Sequence, residues 1–173
     1  MTDSVQVRRE RLQNARTLMA EHGVDALIIP SADPHMSEYL PVYWQGRAWL
    51  SGFTGSVGTL VITADFAGVW TDSRYWVQAP MQLEGTGIEL QKMQIGRPTF
   101  STFLAEHLPS GAKVAIDGNV LSVNESDTLK AAFGDKGIEL VTTLDLLAKI
   151  WSDRPSLPTD AIYEHPAQFV DTT

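Results

Sequence analysis

The sequence predicts an α/β fold in which a mixed β-sheet is flanked by helices. One observation is a unit of helix, glycine and short apolar run, met first at Gly23 and again at Gly87, Gly111 and Gly137. Helices alternating with strands imply a sheet covered by helices. The other is a pair of strand-like runs, residues 58–63 and 68–71, joined only by Ala64-Asp65-Phe66-Ala67. That connection is too short for a parallel crossover, so these two strands are antiparallel and the sheet is mixed.

Taken in order, Asp3 and Gln6 have the spacing of a capping box. Leu12, Ala15, Leu18 and Met19 follow at helical spacing, which predicts an amphipathic helix of about five turns ending at Gly23. Residues 24–29 form a nearly continuous apolar run ended by Pro30, as expected of a strand covered on both faces. Asp72 is a good N-cap, and a helix is predicted from there to Met81; Pro80, which lacks a backbone donor, should end or kink it. Residues 100–108 and 124–133 read as helices, the second with Ser122 or Asn124 as N-cap. Beyond them Pro155, Pro158 and Pro166 punctuate a stretch without periodicity. Residues 1–152 are therefore expected to form the domain and residues 153–173 a linker leading to a second one.

A chain of 173 residues can bury one sizeable core but is short for two domains of usual size. With 43% hydrophobic and 20% charged residues, it has the composition of a folding chain. A net charge of -8 disfavours nucleic acid as a partner, because phosphate binding needs clustered Lys and Arg. The one basic cluster, Arg8, Arg9 and Arg11, is interrupted by Glu10 and reads as a solvated helix face. The absence of cysteine excludes disulfides, thiolate nucleophiles and cysteine zinc sites. The first helix region carries Asp3, Glu10 and several arginines without an apolar core segment, and no run approaches the ~18 apolar residues that span a bilayer. No membrane partner and a cytoplasmic location are expected.

Gly52, Gly55 and Gly58 precede a strand rather than open a helix, so they read as turn glycines and not as a nucleotide loop. Ser56 lacks the glycine two positions earlier that a nucleophile elbow requires and reads as a turn hydroxyl. The four histidines make no His-Glu-x-x-His pattern; His22 and His107 stand near helix C-termini, where an imidazolium is favoured. Asp33, His35 and Glu38, on the loop after the first strand, are the best local set of polar ligands. They allow a metal site, a turn initiated by Asp33 before Pro34, or a loop that touches a partner domain. Arg47, Asp72, Arg74 and Tyr75 make a second cluster, in which Asp72 can cap a helix and pair with an arginine. Among the tryptophans, Trp70 is expected in the core, whereas Trp44 and Trp49 are expected to cover an interdomain surface.

Three segments carry a resemblance: Ser51-Gly52-Phe53-Thr54-Gly55-Ser56, Trp70-Thr71-Asp72-Ser73-Arg74-Tyr75 and Ile150-Trp151-Ser152-Asp153-Arg154-Pro155. In this order and spacing the chain resembles the N-terminal domain of the three-domain Xaa-Pro aminopeptidases, the cytosolic-type aminopeptidase P of peptidase family M24. The likeness extends to Ile28-Ile29-Pro30-Ser31, Ser37-Glu38-Tyr39 and Arg47, while Pro80 stands where similar sequences carry a helix former. It implies a creatinase N-terminal type of fold with a ribonuclease-H-like motif. It also implies a parent metallopeptidase that removes the residue preceding proline by two-metal hydrolysis, usually with manganese. The metal ligands and catalytic residues of such enzymes lie in a C-terminal domain, so no catalytic or metal-binding residue and no cofactor are assigned to this chain, which alone is expected to be inactive. The implied role is to shape the substrate entrance against that domain, to limit access to small peptides, and to join a homodimer. The implied partners are the C-terminal catalytic domain of the same polypeptide and a proline-containing peptide, and the residues expected to face them are His35, Glu38, Arg47, Asp72, Arg74 and Tyr75. The alternative is a stand-alone peptide- or protein-binding module of the same fold without peptidase activity. A hydrolase built on Asp33, His35 and Glu38 would need a bound metal.

Overall fold

In the computed structural model, which describes residues 3–164 and 166, six strands are hydrogen-bonded into one sheet. They are β1 (Ala26–Pro30), β2 (Thr59–Thr63), β3 (Ala67–Thr71), β4 (Glu89–Lys92), β5 (Lys113–Ile116) and β6 (Glu139–Val141). Their order is β4-β3-β2-β1-β5-β6. The first three pair antiparallel, whereas β5 and β6 continue from β1 in parallel and β4 runs parallel to β3 at the far edge. A meander of three strands extended by a parallel pair is the ribonuclease-H-like motif expected. The short connection acts as foreseen: the Thr63 N–H donates to Phe66 O at 2.8 Å, closing the hairpin between β2 and β3.

Among the described residues six α-helices cover the sheet: α1 (Val5–Glu21), α2 (Gly46–Ser51), α3 (Gln78–Leu83), α4 (Phe100–His107), α5 (Val123–Phe133) and α6 (Leu147–Ile150). Because side chains alternate along a strand, β1 serves two cores at once. Leu27 and Ile29 pack with Leu12 and Met19 of α1, Leu50 of α2 and Leu83 of α3. Ala26 and Ile28 face the other way, onto Leu104 of α4 and Leu129 and Phe133 of α5, with Trp70 of β3 in the same layer. The reading of β1 as a strand buried on both faces, and of Trp70 as core, therefore holds. Among the described residues no helix is long and apolar enough to cross a membrane.

Several local expectations are corrected. The first helix is capped by Ser4, whose Oγ accepts from the Val7 N–H, and Asp3 pairs with Arg11 instead of capping. The segment after Asp72 is two short pieces rather than one helix. Asp72 caps a single 3-10 turn, Ser73–Tyr75, and α3 begins at Gln78. Pro80 does not end α3, because it occupies the first turn, where a missing donor costs nothing. Ser122, not Asn124, caps α5, in a full capping box with Glu125. The basic cluster is only in part a solvated face, with Arg9 and Glu10 exposed. Arg8 is buried and donates to Gln82 O, Arg9 to Gly85 O and Arg11 to Trp49 O, so α1 is tied to the carbonyls of the elements beneath it. Trp49 also turns inward and stacks on Trp151, with ring centroids 4.8 Å apart. Of the stretch expected to be a linker, Arg154 is still held by the domain, residues 155–164 are exposed without regular structure, and 165 and 167–173 lie outside the described residues.

Candidate functional site

The loops that carry the candidate residues gather at one edge of the sheet, formed by the carboxyl ends of β1 and β3 and the start of β2. Such an edge is where open α/β sheets place ligands. At the end of β1, Ser31 donates through both its N–H and its Oγ to Gly58 O, which clamps this loop to the start of β2. Asp33 follows and is only 2% exposed. Its Oδ1 accepts from the backbone N–H groups of His35 at 2.9 Å and Ser37 at 3.0 Å. The Ser37 N–H is the main reason its carboxyl is held below the usual carboxylate range, against the opposing effect of burial. Of the three readings of this loop, Asp33 thus acts as the turn initiator, and the side chains of His35 and Glu38 point outward, exposed.

Arg47, on α2, is 5% exposed and has no carboxylate partner among the described residues. Its Nε donates to Ser31 Oγ at 2.8 Å, its Nη1 to Phe53 O at 2.9 Å and its Nη2 to Gly55 O, while the guanidinium lies 4.7 Å from the Phe53 ring centroid. Burial pushes this group down to about 10, which leaves it protonated at neutral pH. One cation therefore ties the β1 loop to the glycine-rich turn before β2. The close approach requires Gly55: a Cβ there would strike the ring atoms of Phe53 and Tyr75.

Tyr75 locks the next residue of that turn. Its hydroxyl lies 2.8 Å from Ser56 Oγ and accepts from the Ser56 N–H at 3.2 Å, and these bonds hold the phenol below its ordinary value. The turn-hydroxyl reading of Ser56 holds. Three residues before Tyr75, Asp72 accepts from the Arg74 backbone N–H and takes the Arg74 guanidinium in two parallel bonds of 3.0 and 2.8 Å. Arg74 remains 58% exposed at its side chain. Asp72 is the principal cause that raises its guanidinium further above the ordinary range, with Glu38 adding from across the turn, and Arg74 in turn lowers the Asp72 carboxyl.

Between these loops lies an open cleft of about 250 Å³, lined among others by Ser31, Glu38, Tyr39, Trp44, Arg47 and Ser56. Of the six residues singled out in the sequence, Glu38 and Arg47 line this cleft and Tyr75 reaches it through Ser56. His35, Asp72 and Arg74 lie outside its lining. Tyr39, which is 82% exposed, carried no site expectation, and Trp44 was expected only to cover an interdomain surface. A tyrosine in the polar stretch after the first strand was the available signal for the first. Among the described residues, no three His, Cys, Asp or Glu side chains converge to hold a metal ion. Asp33, the buried carboxylate of the set, is already committed to backbone donors. A two-metal centre thus does not fit the described residues of this chain, whose chemistry is that of a shaped, polar-rimmed recess.

Comparison with known proteins agrees with this architecture. The chain is 41% identical over 165 residues to aminopeptidase P2 of Arabidopsis thaliana, an alignment that takes in 92% of this chain and 23% of that protein. It thus spans less than a quarter of the length of that curated relative. Among solved structures, it superposes with a TM-score of 0.80 and 30% identity on an X-prolyl aminopeptidase of Caenorhabditis elegans, described as a cytosolic enzyme with a di-nuclear active site. That match covers 87% of this chain and 26% of the other. It also superposes, at a TM-score of 0.58 and 26% identity, on the N-terminal domain of the cytoplasmic peptidase PepQ of Mycobacterium tuberculosis, covering 83% of this chain and 98% of that one. Residues 11–150 match the model of the creatinase/prolidase N-terminal domain, and this chain belongs to that family.

Proposed function

We propose that this chain is the N-terminal, non-catalytic domain of an Xaa-Pro aminopeptidase, and that the whole protein removes the N-terminal residue from peptides with proline in second place. The observation that carries this reading is the match, along nearly the whole chain, to proteins named aminopeptidase P or Xaa-Pro aminopeptidase. Hydrolysis would be the work of two divalent ions, manganese in our reading, held by residues outside this chain. The domain supports that chemistry by forming one wall of the substrate entrance and by contributing to contacts within a cytoplasmic homodimer.

The six candidate residues then divide by what they touch. His35, Glu38 and Arg74 present charged or polar groups outward, where a following domain or a peptide could meet them. Arg47 and Tyr75 fix the adjoining turn at Gly55 and Ser56, and Asp72 fixes the Arg74 guanidinium. The test is hydrolysis of Xaa-Pro-Xaa and Xaa-Ala-Xaa tripeptides by the full-length protein with manganese. Release of the first residue from the proline peptides alone is the expected result. Cleavage of neither peptide, while the isolated domain binds a peptide, would instead establish a stand-alone binding module.

A further inference from the structure

Arg154 is the last described residue whose side chain hydrogen-bonds to this domain. Every described residue from 155 onward is exposed, whereas the Arg154 side chain is only 9% exposed. It is held from several sides. Its Nε donates to Tyr43 O at 2.9 Å and its Nη1 to Asp145 Oδ2 at 2.7 Å. The guanidinium sits 3.7 Å from the centroid of the Tyr43 ring, 5.4 Å from that of Trp44 and 5.7 Å from that of Trp151. Asp145 is fixed in its turn, because its Oδ1 accepts from the Ala148 N–H at the start of α6. Three aromatic rings around a planar cation, with one carboxylate and one carbonyl accepting from it, define a site suited to arginine and poorly suited to lysine.

The position of this cage in the fold gives it a consequence. Tyr43 and Trp44 belong to the 3-10 turn that leads into α2, the helix of Arg47. Trp44 and Gln45 line the cleft, and Gln45 Nε2 donates to Leu40 O, another residue of the cleft wall. On the other side Trp151 stacks on Trp49 of α2. The cage therefore joins the point where the chain leaves the domain to the wall of the cleft. The chain could have parted from the domain at the end of α6. Instead it is caught once more at Arg154, directly before the exposed stretch that begins at Pro155.

We infer that Arg154 is a positioning residue: its aromatic cage sets the direction in which the chain leaves the domain, and so registers whatever follows against the cleft. The kinetic part of this inference rests on the Xaa-Pro aminopeptidase reading, and the structural part does not. The experiment uses full-length protein carrying Arg154→Ala or Arg154→Lys, with two readouts. The first is the rate of limited proteolysis within residues 155–164, which is expected to rise at least about tenfold for Arg154→Ala and by less for Arg154→Lys. The second is the kinetics on an Xaa-Pro peptide. KM is expected to rise about fivefold for Arg154→Ala with kcat unchanged, a partial rise being expected for Arg154→Lys, as for loss of binding geometry without loss of catalytic groups.

A merely structural role would lower the folded fraction, and hence the apparent kcat, while leaving KM alone. That pattern, or an unchanged rate of proteolysis, overturns the inference. If the wild-type protein does not cleave Xaa-Pro peptides, the functional reading fails, and the proteolysis result alone decides the role of Arg154.

Discussion

Replacing Arg47 by alanine tests whether one buried cation holds the candidate site together. The side chain donates to Ser31 Oγ, Phe53 O and Gly55 O, and Phe53 and Gly55 are themselves buried. Its removal orphans two carbonyls at about 1–3 kcal/mol each, and it leaves a void. Two effects offset part of this: the desolvated charge is gone, and the adjoining cleft can supply water to the carbonyls. The expected net loss is about 3 kcal/mol, or about 6–12 °C in Tm for a domain of this size. Arg47→Lys keeps the charge but has a compact ammonium in place of the planar fork, so an intermediate loss of about 1–2 kcal/mol is expected. Urea unfolding of the 173-residue chain, followed by tryptophan fluorescence, reads this as a shift in midpoint at constant slope. A loss below about 1 kcal/mol for Arg47→Ala, or equal losses for the two variants, would refute the clamp.

Two further perturbations bear on the same edge of the sheet. Asp33→Ala removes the acceptor of two backbone N–H groups and is expected to cost about 1 kcal/mol at pH 7 in the same unfolding assay. Because the folded Asp33 carboxyl lies below its ordinary value of 3.8, its contribution is full above that pH and is lost as pH falls through the folded value. Asp33→Asn should therefore flatten the acid limb of the stability curve, and an unchanged limb would contradict the assignment. Gly55→Ala places a Cβ 2.8 Å from Tyr75 Cδ1 as well as against the Phe53 ring, and is expected to cost about 1–3 kcal/mol by forcing the rings apart. A variant as stable as the wild type would show that the turn yields without strain.

How much of this was legible in the sequence depended on the range of the interactions involved. The hairpin of β2 and β3 was readable because a short connection leaves only one pairing, whereas the cap of α5 was narrowed only to Ser122 or Asn124, and the structure's capping box with Glu125 decides for Ser122. The helix α2 was not, since six residues make fewer than two turns and too few apolar positions to show a period. The break between Tyr75 and Gln78 was hidden as well. There the Trp76 Nε1 turns back to donate to Thr71 O, which no pattern of helix formers reveals. The arginines of α1 were read as solvated for a similar reason: their acceptors, Gln82 O, Gly85 O and Trp49 O, are distant in sequence. Around the cleft, Arg47 and Asp72 were singled out by type and loop position, but only the fold showed that Arg47 points into the protein and that Asp72 lies outside the cleft lining.

The same contrast bears on which residue is left to act on a partner. Six of the eight arginines donate to backbone carbonyls: Arg8, Arg9, Arg11, Arg16, Arg47 and Arg154. In a chain with a net charge of -8, these cations serve to join helices and loops, and only Arg11 and Arg154 among them also pair with an aspartate. Arg74 differs, since it is oriented by Asp72, is 58% exposed and spends its side-chain donors on that carboxylate rather than on the backbone. An exposed ion pair of this kind adds little to stability, so the geometry of Asp72 and Arg74 is not explained by the fold's own needs. A guanidinium held in one orientation loses little entropy on meeting a carboxylate or a carbonyl, and this property of Arg74 fits the entrance role proposed above.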